Sequence, residues 1–147
     1  MPSIHESIVI DRPQETVFAF SSDPANVPRY SPSIVRYEQL DDVPLGLGSR
    51  VEGSIKVAGK RIDFVEEIVE YEPPRRFSAR TVESPIPFRV TIWSDSQNGA
   101  TLLEWLTETD LFGGFFGKLA EPVVVGMYRR ELQADLRRLK QLIESEG

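Results

Sequence analysis

The chain has 147 residues, of which 40% are hydrophobic and 27% are charged, and its formal net charge is −6. This length and composition predict a single globular domain, spanning residues 1–147, with enough chain to bury a core. The acidic balance argues against nucleic acid as a partner, because binding a phosphate backbone depends on clustered Lys and Arg.

The residue types that support other functional classes are scarce. The sequence contains no cysteine and one histidine, so neither a disulfide nor a zinc site is expected. No glycine-rich phosphate loop is present, and we expect no cofactor. No apolar run approaches the roughly 20 residues that span a bilayer, and the N-terminus lacks the pattern of a signal peptide. We therefore expect a cytoplasmic protein without integral membrane association, as a monomer or a weak homodimer.

The first part of the chain predicts one strand and two short helices. The strand covers residues 4–10 and places three isoleucines on one face. Asp11 is a plausible N-cap and Pro13 suits a first helical turn, so a helix should run to about Phe20. A second helical segment of one or two turns fits residues 26–30, between two prolines.

Six further strands are predicted in the middle of the chain. They cover residues 34–40, 51–57, 61–71, 77–83, 88–96 and 101–109. The apolar residues of the 61–71 strand change parity, which indicates a bulge. Asn98-Gly99 is a strong hairpin signal between the last two strands.

A long helix over residues 118–143 closes the chain. Its apolar stripe has the spacing of an amphipathic helix and comprises Tyr128, Leu132, Leu136, Leu139 and Ile143. Upstream, residues 123–128 are apolar on nearly every side. We therefore expect the first half of this helix to be enclosed by the rest of the protein.

The element order is β-α-α-β-β-β-β-β-β-α. Strands joined by short turns pair antiparallel, so this order predicts an α+β fold in which an antiparallel sheet covers a helix on one face. If Ala79, Val90 and Leu103 point towards the helix, the wetter outer face of the sheet carries another group of side chains. That group is Arg80, Arg89, Thr91 and Glu104.

Five segments together carry a resemblance to a known family. They are Ile10-Asp-Arg-Pro-Gln-Glu-Thr-Val-Phe18, Pro28-Arg-Tyr-Ser-Pro32, Leu47-Gly-Ser-Arg50, Glu70-Tyr-Glu-Pro-Pro-Arg-Arg-Phe77 and Leu136-Arg-Arg-Leu-Lys140. In order and spacing the chain resembles the START-like (SRPBCC) superfamily, and most closely its polyketide cyclase/dehydrase-like members. Arg12 and Tyr30 depart from the common pattern, which has a small residue and often a tryptophan there.

The resemblance implies a helix-grip fold, in which a curved antiparallel sheet wraps around the long C-terminal helix and leaves a cavity between them. Members of such families bind lipids, sterols, polyketides or other apolar molecules, and some are cyclases. The family has no universal catalytic motif, so the resemblance does not by itself imply an enzyme.

An excess of aromatic and large apolar side chains is the strongest functional feature. These side chains either pack against each other as core or line a cavity, and the resemblance favours the cavity. The ligand-binding residues are then Phe20, Tyr30, Phe64, Phe77, Phe88, Val90, Leu103, Trp105, Phe112, Phe115, Phe116, Leu119, Val123 and Met127. The segment 112–117 consists of three phenylalanines and three glycines, and three interpretations are open: a gate, an interaction patch or a plain connection.

Acid–base chemistry would fall to carboxylates, because the single His5 lies at the start of a strand and reads as a surface residue. The candidates are Glu66, Glu67, Glu104, Glu108 and Asp110, with Tyr30, Tyr71 or Arg80 as polar partners. Glu66 stands out because it shares strand parity with Ile62, Phe64 and Ile68.

Three functional hypotheses follow. The first is binding of a hydrophobic small molecule such as a lipid or polyketide. The second is a polyketide cyclase or dehydratase that uses pocket carboxylates or tyrosines, and the third is a protein-interaction module. The absence of an evident acid–base motif ranks binding first, while two convergent ionisable groups in a pocket would favour the enzyme.

Overall fold

In the computed structural model, which describes residues 3–57, 59–109 and 121–146, one antiparallel sheet curls around a long C-terminal helix. The strands are β1 (Ser3–Ile10), β2 (Ile34–Gln39), β3 (Arg50–Val57), β4 (Lys60–Glu72), β5 (Arg76–Glu83), β6 (Phe88–Gln97) and β7 (Ala100–Thr109). The helices are α1 (Gln14–Ser22), a 3₁₀ turn (Pro24–Asn26), α2 (Val27–Tyr30) and α3 (Glu121–Glu146). This arrangement confirms the predicted helix-grip order.

The strand order of the sheet is β1-β7-β6-β5-β4-β3-β2, and all pairs are antiparallel. Strands β2 to β7 follow one another as neighbours, while β1 returns to pair with β7 at the far edge. Asn98 and Gly99 have φ angles of 52° and 88°, as a tight hairpin of this kind requires. The predicted turn between β6 and β7 is therefore confirmed.

The predicted bulge lies in β4. The register between β4 and β5 shifts twice, between Val65 and Glu66 and between Ile68 and Glu70. Bulges bend a strand and increase its twist, so these two shifts help to curl the sheet around α3.

Helix α3 is anchored on the inner face of the sheet by its apolar stripe. Leu132, Leu136, Leu139 and Ile143 are all buried, and α3 packs against β1, α1 and α2. The predicted burial of Leu132 and Leu136 is confirmed. Within the described part of the chain, no helix combines the length and apolar character needed to cross a membrane.

The expectation that the first half of α3 is enclosed on nearly every side is wrong. Val123 is 63% exposed and Met127 is 37% exposed, whereas Val124 is buried. Successive helical residues point about 100° apart, so the sheet covers the stripe that contains Val124 and leaves the neighbouring stripe in contact with water.

Two further local expectations require correction. Asp11 does not cap the first helix: Pro13 occupies the N-cap position with extended backbone angles, and the Asp11 amide instead donates to the carboxylate of Glu144 at 2.8 Å. The helix also continues past Phe20 to Ser22, and the hydroxyls of Ser21 and Ser22 bond back to carbonyl oxygens one turn earlier.

Thr91 was expected to be exposed to solvent on the outer face of the sheet, but it is buried. Its hydroxyl lies 3.1 Å from that of Ser78, which in turn accepts a hydrogen bond from Arg89 Nε at 2.9 Å. Arg89 lies 3.4 Å from Glu70, so a polar network covers this part of the outer face. Ala79 and Leu103 are buried on the inner side, as predicted.

Candidate functional site: a cavity between the sheet and α3

A cavity of about 110 Å³ lies between the inner face of the sheet and α3. An engineered apolar cavity of about 150 Å³ accepts benzene, so this volume is smaller than, but of the same order as, a space that holds a single ring. Most of the wall is apolar, and aromatic side chains from several elements contribute to it. These are Tyr30, Tyr37, Phe64, Phe77, Phe88, Trp105 and Tyr128.

The aromatic side chains of the wall pack against each other edge to face. The rings of Phe64 and Phe88 lie 5.0 Å apart at 78°, and those of Tyr30 and Trp105 lie 6.1 Å apart at 81°. Gly53 on β3 makes room for Phe64, because a Cβ at this position would meet the Phe64 ring at 2.6 Å. The absence of a side chain at Gly53 thus fixes one wall of the cavity.

Glu66 is the most buried carboxyl group in this wall. It lies on β4 with 3% exposure, and the Tyr37 hydroxyl from β2 donates a hydrogen bond to it. Burial raises the pKa of Glu66 to about 7, although the hydrogen bond from Tyr37 lowers it in part. A carboxyl group with this pKa exists in both protonation states near neutral pH.

A second carboxyl group reaches the cavity from α3. Asp135 accepts hydrogen bonds from Ser31 Oγ at 2.7 Å and from Arg138 Nη1 at 3.3 Å. Burial raises the pKa of Asp135 to about 6, against the opposing effect of these two donors. Arg138 also donates to the backbone oxygen of Tyr30 at 2.8 Å, which ties α3 to α2 beside the cavity.

The three tyrosines of the wall are neutral at physiological pH. Burial raises the pKa of Tyr128 to about 12, and its hydroxyl lies 2.9 Å from that of Thr107. Burial also raises the pKa values of Tyr30 and Tyr37 well above their usual range. The Tyr30 hydroxyl donates to the Ser21 backbone oxygen at 2.9 Å.

In the part of the chain that the structure describes, the charged residues of the cavity wall are all acidic. They are Glu66, Glu131 and Asp135, and no Lys, Arg or His lines the cavity among the residues that the structure describes. Those same residues contain no group of His, Asp and Glu arranged to hold a metal ion. The site therefore combines an apolar wall with acidic and hydroxyl groups.

Residues 1–144 match the profile of the family described as polyketide cyclase/dehydrase and lipid transport. The chain belongs to this family. No curated protein matches it significantly in sequence. The family assignment agrees with the resemblance seen in the sequence motifs.

Solved structures share the fold of this polyketide cyclase/dehydrase family member. TTHA0849 from Thermus thermophilus superposes with a TM-score of 0.85 at 18% identity, covering 99% of each chain. The Zhui aromatase/cyclase from Streptomyces sp. R1128 gives 0.79 at 17% identity, covering 97% of this chain and 93% of that one. A START superfamily protein from Mycobacterium smegmatis gives 0.76 at 15% identity, covering 99% of each.

The structure brings some of the proposed ligand-binding residues of this family member together at the cavity. Those that line it are Tyr30, Phe64, Phe77, Phe88, Val90 and Trp105. Leu103 is fully buried in the core, and Phe20 is half-buried under the guanidinium of Arg29 at 5.3 Å. Val123 and Met127 lie on the exposed side of α3. Phe112, Phe115, Phe116 and Leu119 are outside the described residues, as is the whole 112–117 segment.

Among the candidate carboxylates, the described structure places Glu66 in the cavity wall. On β7, Glu104 and Glu108 alternate with inward-facing side chains, so both lie on the outer face of the sheet. Glu67 lies on the outer face as well, because it follows the inward-facing Glu66 on β4. Glu104 lies 4.0 Å from the exposed His5, which agrees with a surface role for that histidine. Asp110 is outside the described residues.

Sequence reasoning missed Tyr37 and Asp135. The register of β2 shifts between Ile34 and Arg36, so simple alternation from Ile34 does not identify Tyr37 as inward-facing. Asp135 follows Leu132 by three residues and therefore borders the buried stripe of α3. That spacing was a usable signal in the sequence.

Proposed function

We propose that this protein binds an apolar small molecule in the cavity between the sheet and α3. The observation that carries this proposal is the cavity itself, about 110 Å³ in volume and walled mainly by aromatic and aliphatic side chains. Burial of apolar area contributes roughly 25 cal/mol per Å² before the entropic costs of association. The family description, which includes lipid transport, agrees with this function.

An environment-sensitive apolar fluorophore is expected to bind the native, monodisperse protein at micromolar concentration. Val90→Phe should weaken this binding by at least about tenfold, because Val90 lines the cavity and a phenyl ring there occupies ligand space. The measurement is a fluorescence titration, with size-exclusion chromatography and thermal unfolding to verify that each variant is folded.

Val82→Phe is the matched control. Val82 is 37% exposed on the neighbouring strand β5, so the same substitution there should leave the dissociation constant unchanged. Absence of probe binding to the wild-type protein, or equal loss in both variants, would contradict the proposal.

A cyclase or dehydratase is the second candidate function, and a specific observation favours it. Glu66 and Tyr37 converge on the cavity, and a carboxyl group with a pKa of about 7 suits general acid–base catalysis near neutral pH. Turnover of a polycarbonyl compound by the wild-type protein, with loss of turnover but not of binding in Glu66→Gln, would distinguish an enzyme from a carrier.

A further inference from the structure

The acidic character of the cavity constrains the polar group of its ligand. The wall carries the carboxyl groups of Glu66, Glu131 and Asp135, and its described residues include no basic side chain. A ligand carboxylate would lose its water here and face further carboxyl groups, with no countercharge among the described wall residues. A group that donates hydrogen bonds would instead meet acceptors.

Glu66 is the most buried carboxyl group with free acceptor capacity in this wall, since Glu131 is exposed to solvent. A carboxylate offers about four lone-pair positions, and the Tyr37 hydroxyl uses one of them. In Asp135, by contrast, both carboxylate oxygens already accept a hydrogen bond, one from Ser31 and one from Arg138. The Tyr30 hydroxyl already donates to Ser21.

The indole N–H of Trp105 is a hydrogen-bond donor in the wall, and a donor favours a ligand group that accepts hydrogen bonds. Trp105 Nε1 is buried and has no hydrogen-bond partner among the described residues. A single neutral N–H does not offset the desolvation of a full negative charge beside acidic groups. A ligand hydroxyl can accept a hydrogen bond as well as donate one, so Trp105 does not disfavour an alcohol.

We propose that Glu66 makes the cavity selective for apolar molecules whose polar group is a hydrogen-bond donor, an amine or a hydroxyl, and against those that carry a carboxylate. This inference rests on the proposed binding function. It adds the chemical class of the ligand and names the residue that determines it.

Three ligands with the same ring system test this selectivity: naphthylmethylamine, naphthylmethanol and naphthoate. At about pH 8, calorimetric titration of the wild-type protein should give dissociation constants for the amine and the alcohol at least about tenfold lower than for naphthoate. In Glu66→Gln the amide is neutral, so the preference for the amine over naphthoate should shrink by about tenfold. Thermal unfolding verifies that the variant is folded.

Glu67→Gln is the matched control, because Glu67 is the next residue on β4, lies on the outer face of the sheet and pairs with Arg50 at 3.7 Å. It should keep the wild-type order of affinities. Equal binding of all three ligands, or an unchanged preference in Glu66→Gln, would overturn the inference while leaving the binding function intact. Failure of all three ligands and of the apolar fluorophore would overturn the binding function itself.

The pH dependence of binding provides a second readout. From about pH 5.5 to about pH 8.5 the affinity for the protonated amine should rise and that for naphthoate should fall, while the alcohol changes least. The other titratable groups that face Glu66 across the cavity are Tyr30, Tyr37, Tyr128, Glu131 and Asp135. The three tyrosines stay neutral in this range. Any pH dependence of binding that remains in Glu66→Gln therefore reports the contribution of Glu131 and Asp135. A pH dependence identical in that variant would contradict the role given to Glu66.

Discussion

Replacing Leu136 with alanine is expected to lower the free energy of unfolding by about 2–5 kcal/mol. Leu136 is 2% exposed and belongs to the stripe that fixes α3 on the inner face of the sheet. Truncation removes its apolar contacts and leaves a space that the curled sheet fills only in part. Urea unfolding followed by tryptophan fluorescence measures the loss.

Leu47→Ala is the matched control for this prediction. Leu47 is 73% exposed in the connection between β2 and β3, so the same chemical change should alter stability by no more than about 0.5 kcal/mol. Similar losses in the two variants, or a loss at Leu136 below about 0.5 kcal/mol, would mean that this stripe does not hold the helix against the sheet.

The stability of the protein should depend on pH through Glu66. Its pKa is 4.5 when exposed and about 7 in the folded protein, so between these values the folded state binds more protons than the unfolded state. The stabilisation is fully present below pH 4.5 and is lost as the pH rises through about 7. Each pKa unit corresponds to about 1.4 kcal/mol, which gives an upper bound of about 3–4 kcal/mol for this group.

Glu66→Gln should remove this dependence because the amide does not titrate. Urea unfolding at several pH values between about 4.5 and 8 should show wild-type stability falling relative to the variant as the pH rises. Glu67→Gln should follow the wild-type curve, since Glu67 lies on the outer face beside Arg50. Parallel curves for wild type and Glu66→Gln would show that Glu66 does not titrate from a buried position.

Most of the fold could be predicted because its signals are local. Strand alternation and the Asn98-Gly99 turn depend on neighbouring residues, and the spacing of Leu132, Leu136 and Leu139 defines the buried side of α3. The start of α1 was predicted wrongly at Asp11, because the choice between Asp11 and Pro13 as N-cap depends on a distant residue. Glu144 near the end of α3 accepts the Asp11 amide.

The cavity was harder to predict because its wall depends on which elements cover each other. Glu66 could be selected from its parity, since the extra β4 residue, Val69, comes after this run and leaves Ile62, Phe64, Glu66 and Ile68 on the inner side. Apolar composition alone could not separate Val124, which the protein covers, from Val123, which it leaves exposed. That difference depends on which stripe of α3 the sheet covers, and no short stretch of sequence encodes this tertiary contact.

The binding of an apolar ligand in the cavity can be tested most directly through the two tryptophans of the chain. Trp105 lines the cavity, whereas Trp93 lies on the outer face of the sheet with the Arg76 guanidinium 5.3 Å from its ring. In a proton–nitrogen NMR titration with naphthylmethanol, the indole N–H signal of Trp105 should shift progressively to saturation, while that of Trp93 stays in place. An unchanged Trp105 signal, or equal shifts of both indoles, would contradict a binding site between the sheet and α3.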